Sequence, residues 1–343
     1  MNGTPVPPPP ESADADVPWH YGDPLREQRA LAEGRVAVDL SNRGVVTVSG
    51  PDRLTWLHSL TTAHLEGLNA GESALALILS PNGHVEHELH LVDVDETVWI
   101  ITAPGTAADL VAYLQSMQFM LRVEVRDVSD QFAAVWEPVR EPDADVPTWL
   151  IPADFAGVGH VDAGVDRGGD PTKYIEERPD YLTGREVIIR REDLAARMAT
   201  WSGAAGTWAL EALRTAAAVP RLGLETDHRT LPHEVGWIGP GVHLAKGCYR
   251  GQEAVARVHN LGHPPRRLVL LHLDGSEENL PAHGDPVLVG DREVGWIATP
   301  AWHYEQGPIA TAIVKRSTPV EANAVVRTEK GEVPASQVVV VRG

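Results

Sequence analysis

Lys246-Gly247-Cys248-Tyr249-Arg250-Gly251-Gln252-Glu253 is the stretch on which the reading of this chain turns. Cys248 is the single cysteine among 343 residues, and a cation stands two positions away on either side, Lys246 and Arg250. Positive charge favours the thiolate, the reactive form of a cysteine. Gly247 and Gly251 permit close backbone approach or a left-handed turn. The bland alternative is a small buried hydrophobe, the commoner fate of a free cysteine. Cys248, Lys246 and Arg250 are therefore the candidate functional motif. The same stretch opens a basic island, in which Lys246, Arg250, Arg257, Arg266 and Arg267 share residues 246–267 with one acid, Glu253.

The island stands against a formal charge of -19 and a pI near 5.2. That balance repels nucleic acid and anionic lipid at long range, so neither is expected as a direct partner. An anionic ligand would need the local cations. No apolar run reaches the roughly 18 residues of a membrane span, and the N-terminus has no secretory pattern. One cysteine makes no intrachain disulfide and no multi-cysteine zinc site. The cytoplasm is the expected compartment, and no metal site is expected. Pro5 to Pro10, followed by Glu11, Asp14 and Asp16, carry too little apolar surface to offset chain entropy. Residues 1–17 read as a disordered tail.

The chain's length predicts two or three domains. Arg35–Leu40 and Val45–Val48 read as strands around a turn at Ser41–Gly44. Leu54, Leu57 and Leu60 recur at helical spacing after Pro51 and Asp52. Ala74–Leu79 and His84–Val94 form a hairpin around Ser80-Pro81-Asn82-Gly83. A second helix starts near Thr106, with Asp109 completing a capping box. Residues 137–185 read as long loops, and a third helix covers about 207–218, stopped by Pro220. From Arg266 onward, short strand-like runs at 268–273, 287–289, 293–297, 309–314 and 338–341 predict an all-β domain, a small barrel or sandwich. Lys330-Gly331 reads as a hairpin turn within it.

Alternation along the return strand puts Val85, His87, Leu89 and Leu91 on one face. His84, Glu86, Glu88 and His90 then form a solvent-facing polar edge rather than a metal cluster, since residues spread along a strand do not converge on one ion. His87 is either a hydrogen-bonded core residue or a ligand contact. Glu225, Asp227, His228, Arg229, Thr230, His233 and Glu234 form a second polar concentration close to the cysteine loop. Hydrolase-elbow, phosphate-loop and zinc-protease signatures are missing.

Leu231-Pro232-His233-Glu234, the cysteine octapeptide and Arg266-Arg267 together resemble the YgfZ folate-binding proteins, relatives of the glycine-cleavage aminomethyltransferase, or T-protein. Val48-Ser49-Gly50-Pro51-Asp52-Arg53, Asn82-Gly83 and Ala209-Leu210-Glu211-Ala212-Leu213-Arg214 extend the match over most of the chain. The resemblance implies an α+β, three-domain ring around a central folate site, with a C-terminal β-barrel. On it, residues 18–50 plus 130–260 form a first domain, 51–129 a second and 266–343 the barrel. It implies tetrahydrofolate or a one-carbon derivative as cofactor, and iron–sulfur client enzymes, a tRNA-modifying one included, as partners. Glu234 stands where the T-protein holds the pterin, Arg266 or Arg267 where it holds the folate tail, and Tyr249 joins them beside the thiol. The acidic pair of the T-protein's return strand appears as His87-Glu88, which argues against ordinary aminomethyl transfer. If the protein is an enzyme, the implied reaction is still folate-dependent one-carbon transfer. The remaining alternative is a non-enzymatic scaffold whose Cys248 binds metal with a partner.

Overall fold

The structure is a computed structural model that describes residues 3–10, 12–157, 175–176, 178–276 and 279–342. Part of the expected 137–185 loop region lies outside the described residues. Elements are numbered in chain order. One mixed sheet runs, edge to edge, through β10 (Ala204–Ala205), β1 (Ala37–Leu40), β7 (Phe132–Glu137), β9 (Arg185–Arg190) and β8 (Thr148–Leu150). A second, antiparallel sheet runs through β3 (Ser73–Leu79), β4 (Val85–Val94), β5 (Thr97–Thr102), β2 (Gly44–Ser49) and β6 (Glu124–Asp127). The strands expected on either side of Ser41–Gly44 therefore do not pair with each other. β1 joins the first sheet and β2 the second, which shifts the start of the second unit to about residue 44.

The C-terminal strands close into a barrel. Its members are β11 (Arg266–Leu273), β12 (Pro286–Val289), β13 (Arg292–His303), β14 (Gly307–Lys315), β15 (Ala324–Thr328) and β16 (Gly331–Val339). Alternation explains its two faces. Val269, Leu271 and Val314 fill the interior. Leu268, Leu270, Ile309 and Ile313 turn outward into a core shared with both sheets. That shared core, with Leu75, Leu77, Trp136, Ile188 and Leu210, sits where the three units meet. The second sheet buries its other face, Ile78, Leu89, Leu91 and Ile100, under α2 (Arg53–Leu60) and α3 (Ala107–Met117). Thr106 caps no helix N–H with its side chain. Its hydroxyl donates to the Ala103 carbonyl at 2.8 Å instead, so the expected capping box does not form.

The expected disordered tail is anchored. Val6 and His20 bridge through backbone bonds at 2.8 Å, Val17 is buried, and Asp14 ion-pairs with Arg221. Composition measures apolar surface and misses a carboxylate held by buried cations. The strap leads into α1 (Pro24–Ala32), which packs on α6 (Thr207–Ala216). The remaining helices are the short α4 (Ala153–Ala156) and α5 (Leu194–Met198), and α7 (Gln252–Leu261).

α6 is built from good helix formers, Ala and Leu, yet carries buried Glu211 and Arg214. Arg214 donates to Glu225 at 2.9 Å, to Glu211 at 2.8 Å and to Thr299 of β13 at 2.7 Å. Arg214→Met would leave those carboxylates buried without their main cation. It should cost about 3–5 kcal/mol in urea unfolding; a loss below about 1 kcal/mol would show that the barrel seam holds without the pair.

Candidate functional site

A bulge decides where the start of β4 faces. β3 and β4 slip register between Ile78↔His87 and Leu79↔Val85, leaving Glu86 as the extra residue. Val85 therefore joins the shared core, while Leu89 and Leu91 lie on the outer face. His87 goes with that outer face, its ring centroid 6.1 Å from that of Tyr113 on α3. Glu88 and His90 turn inward. They are not the solvent edge that simple alternation implies.

They line a cleft between the two sheets and α6, walled by Trp136, Trp149, Phe155 and Leu210 and by the charged Arg43, Glu88, His90, Glu186, Glu211, Arg214 and Arg221. Its empty space, open mouth included, is about 660 Å³. His90 and Trp149 stack with centroids 3.7 Å apart and 5° between planes. His90 Nδ1 meets Glu186 Oε2 at 2.8 Å and Nε2 meets Glu88 Oε1 at 3.3 Å. Arg43 donates to the other Glu186 oxygen. The second Glu88 oxygen accepts the Leu222 N–H at 2.8 Å. Burial alone would lower the His90 pKa, but Glu186 and Glu88 outweigh it and raise it to about 9. Burial would raise Glu186, and Arg43 and His90 override it, so this carboxyl sits below its usual range.

The residues expected from the sequence divide. Of these, Glu88 lines the cleft and His87 faces away. His87 is buried, its Nδ1 has no hydrogen-bond partner, and burial lowers its pKa. Glu234, Arg266 and Arg267 do not line the cleft. Arg266 donates to Asp227 at 2.6 and 3.0 Å and to Glu234 at 2.7 and 3.0 Å, holding the Asp227 carboxyl well below its usual range. Burial raises Glu234 despite that contact, and its Oε1 is buried without a partner. Arg267 donates to the Thr318 carbonyl at 2.8 Å. Arg266 is spent on the protein itself, while Arg267 keeps a buried Nε without a partner.

The cysteine motif is also rearranged by folding. Lys246 is buried and donates to the carbonyls of His58, Thr61 and Ala63, where burial lowers its pKa to about 8. Its Nζ lies 5.2 Å from the Tyr249 ring centroid. Arg250 pairs with Glu86 at 2.7 Å and lies over Tyr113. The charges that flank Cys248 in sequence are thus used elsewhere, and Cys248 itself is exposed. Gly251 adopts φ +83, and a Cβ there would meet the Ser80 carbonyl oxygen at 2.5 Å. It brings α7 against the β3–β4 hairpin.

One group could hold a metal ion among the described residues: His58, His64 and Glu66, with ligand atoms within 4.8 Å of one another. His58 Nδ1 already accepts the Leu65 N–H at 3.1 Å, which leaves the neutral ring's proton on Nε2 and makes this a poor ready-made site. The cleft residues missed from sequence are Arg43, His90, Trp149, Glu186 and Arg221. Arg43, His90, Glu186 and Arg221 share one signal, an ionisable side chain inside an otherwise apolar strand or turn, and Trp149 carries none.

His90 yields a pH prediction. A raised pKa contributes stability fully present below the unfolded value of about 6.5 and lost as pH rises through the folded value. Melting temperatures of wild type and His90→Phe should differ most near pH 6.5 and converge toward pH 9. A constant difference across that window would mean that the ring is uncharged.

Residues 11–136 match the family model described as the GCVT N-terminal domain. The aminomethyltransferase of Symbiobacterium thermophilum is 27% identical over 307 residues, covering 83% of this chain and 79% of that protein. The aminomethyltransferase of Streptomyces avermitilis is 27% identical over 319 residues, covering 87% and 83%. The crystal structure of glycine cleavage system aminomethyltransferase T from Bartonella henselae aligns at a TM-score of 0.71 and 16% identity, over 97% of this chain and 92% of that one. At that identity the structural likeness speaks for fold alone. The chain has a GcvT-like fold of mixed sheets and a closed six-stranded C-terminal barrel, and its sequence matches support a GcvT-like family.

Proposed function

We propose that the chain binds tetrahydrofolate in the central cleft. The observation that carries this reading is the cleft's lining: a flat His90–Trp149 wall beside the acceptor carboxylates of Glu88, Glu186 and Glu211. A pterin is planar and rich in N–H groups, which suits ring stacking and carboxylate acceptors. Arg43 lines the same cleft and keeps a buried Nε without a partner, a donor that a ligand can satisfy. The residues present therefore fit the group. When bound, tetrahydrofolate would supply a one-carbon carrier; the chain's own groups bind, orient and exclude water.

The relatives named aminomethyltransferase favour one-carbon transfer as a second reading. Against it, one carboxylate of the His87-Glu88 pair reaches the cleft, and both its oxygens already accept hydrogen bonds. The finer first reading is a cytoplasmic, folate-dependent accessory protein for iron–sulfur enzymes, a tRNA-modifying one included. It rests on the octapeptide's resemblance and on the exposure of Cys248, with the thiol serving a client by redox, metal or direct contact.

Calorimetric titration with tetrahydrofolate tests the binding. Trp149→Ala should weaken it roughly tenfold, the scale of a lost aromatic contact of about 1.4 kcal/mol, and Arg267→Ala should leave it unchanged. The reverse pattern would move the site to the barrel edge, and no binding by wild type would refute the folate reading. Cys248→Ala should keep folate affinity and lose support of iron–sulfur client activity in a deletion strain. Full support by that variant would remove the thiol from the function.

A further inference from the structure

We propose that Arg221, with Arg43 beside it, is a carboxylate subsite of the central cleft, and that the N-terminal strap keeps it closed by supplying Asp14 in the ligand's place. The inference rests on the cleft being the tetrahydrofolate site. Arg221 is part of the cleft wall, and Asp14 is not. Yet both terminal nitrogens of Arg221 are drawn to Asp14, at 2.7 Å to Oδ2 and 2.6 Å to Oδ1. That two-pronged arrangement is how a guanidinium recognises a free carboxylate.

The other cations of the cleft have strong partners inside the molecule's core. Arg214 is bound to Glu211 and Glu225, and His90 to Glu186 and Glu88. Arg221 has a longer contact to Glu211, 3.1 Å, and takes its short ones from the strap. Arg43 adds attraction to Asp14 and retains a buried, unpartnered Nε. The positive end of the cleft is thus matched by a carboxylate from outside its walls.

The strap is built to let go at one point. Among its described residues between Val6 and Val17, Asp14 alone is buried; the prolines, Ala13, Ala15 and Asp16 are exposed or half-buried. Asn42 also donates to Asp14 Oδ1 at 3.3 Å, and the other anchors lie toward the two ends: the Val6–His20 bridge, buried Val17 and the Trp19–Trp208 stack, 5.6 Å between centroids. Exchange of Asp14 for a ligand carboxylate keeps the number of buried charges constant. Asp14 returns to water and the incoming carboxylate takes the same guanidinium fork. No uncompensated charge arises, so the large penalty for burying one is avoided.

Two ligands separate the subsite from the rest of the cleft: tetrahydrofolate, with its glutamate carboxylates, and tetrahydropterin, without them. Asp14→Asn removes the competing charge. It should tighten tetrahydrofolate about tenfold, the gain expected when a largely closed state is opened, and leave tetrahydropterin unchanged. Arg221→Gln added to Asp14→Asn should cancel the gain for tetrahydrofolate alone. In wild type, tetrahydrofolate should speed hydrogen exchange at the strap amides of Ser12 and Asp14, which donate to the Pro9 carbonyl and the Ser12 hydroxyl, and tetrahydropterin should not. That readout holds even if a variant fails to fold. Equal tetrahydrofolate affinity in wild type and folded Asp14→Asn, or an unchanged strap exchange, would overturn the subsite while leaving the folate reading standing. Absence of binding by both ligands in both proteins would sink the folate reading itself.

Discussion

Glu225 is the constraint from which the architecture follows. A fully buried carboxylate is tolerated only when its acceptor positions are filled. Here Oε1 accepts the hydroxyls of Thr299 and Thr311 at 2.6 Å each, and Oε2 accepts Arg214 and the Arg221 N–H at 2.9 Å. The two threonines stand on adjacent barrel strands, and Arg214 stands on α6. One side chain therefore fixes the barrel against the helix and the helix against the turn at residues 219–226. From Arg214 the pairing continues through Glu211 to Arg221 and then to Asp14. Displacing any member exposes the next to an unpaired charge in a dry setting, and the chain of pairs acts as a unit.

The cleft exists because this network fills the junction with groups that cannot pack like hydrocarbon. Three apolar surfaces meeting there would collapse into a core, as they do a short distance away at Leu77, Trp237 and Ile313. Charged groups hold fixed distances from their partners, and the space between them stays open. The aromatic wall then gives the opening a flat side. A polar, planar ligand is favoured over an aliphatic one, since the latter would strip water from Arg43 and Glu211 without replacing their hydrogen bonds.

Local periodicity carried much of this fold. The β3–β4 hairpin, the helices after residues 52, 106 and 206, and most barrel strands follow from alternation and turn residues. β15 escaped because five residues between polar turns carry little pattern. The larger misses share one cause: they depend on partners distant in sequence. Nothing local says that β1 and β2 enter different sheets, or that Asp14 finds Arg221 across 207 residues. Alternation already places Glu88 and His90 opposite Leu89 and Leu91, but nothing local says that their face is covered by a second sheet, and the bulge at Glu86 turns Val85 to that same face. Sequence spacing also overstated the basic island, because each of its cations finds a local acid or carbonyl once the chain is folded.

That last point changes how the cysteine octapeptide should be valued. Lys246 gathers the carbonyls at the end of α2, Tyr249 is buried beside it, Arg250 grips Glu86, and Gly251 admits the Ser80 carbonyl. Gln252 reaches back to the Lys246 carbonyl at 3.4 Å. Each of these residues has a packing or hydrogen-bonding reason to be what it is. Cys248 has none, for its side chain is exposed. The motif is chiefly a clamp between α2, the β3–β4 hairpin and α7, and its resemblance to a family therefore speaks first about fold. The thiol of Cys248 is left at the surface of that clamp, outside the cleft.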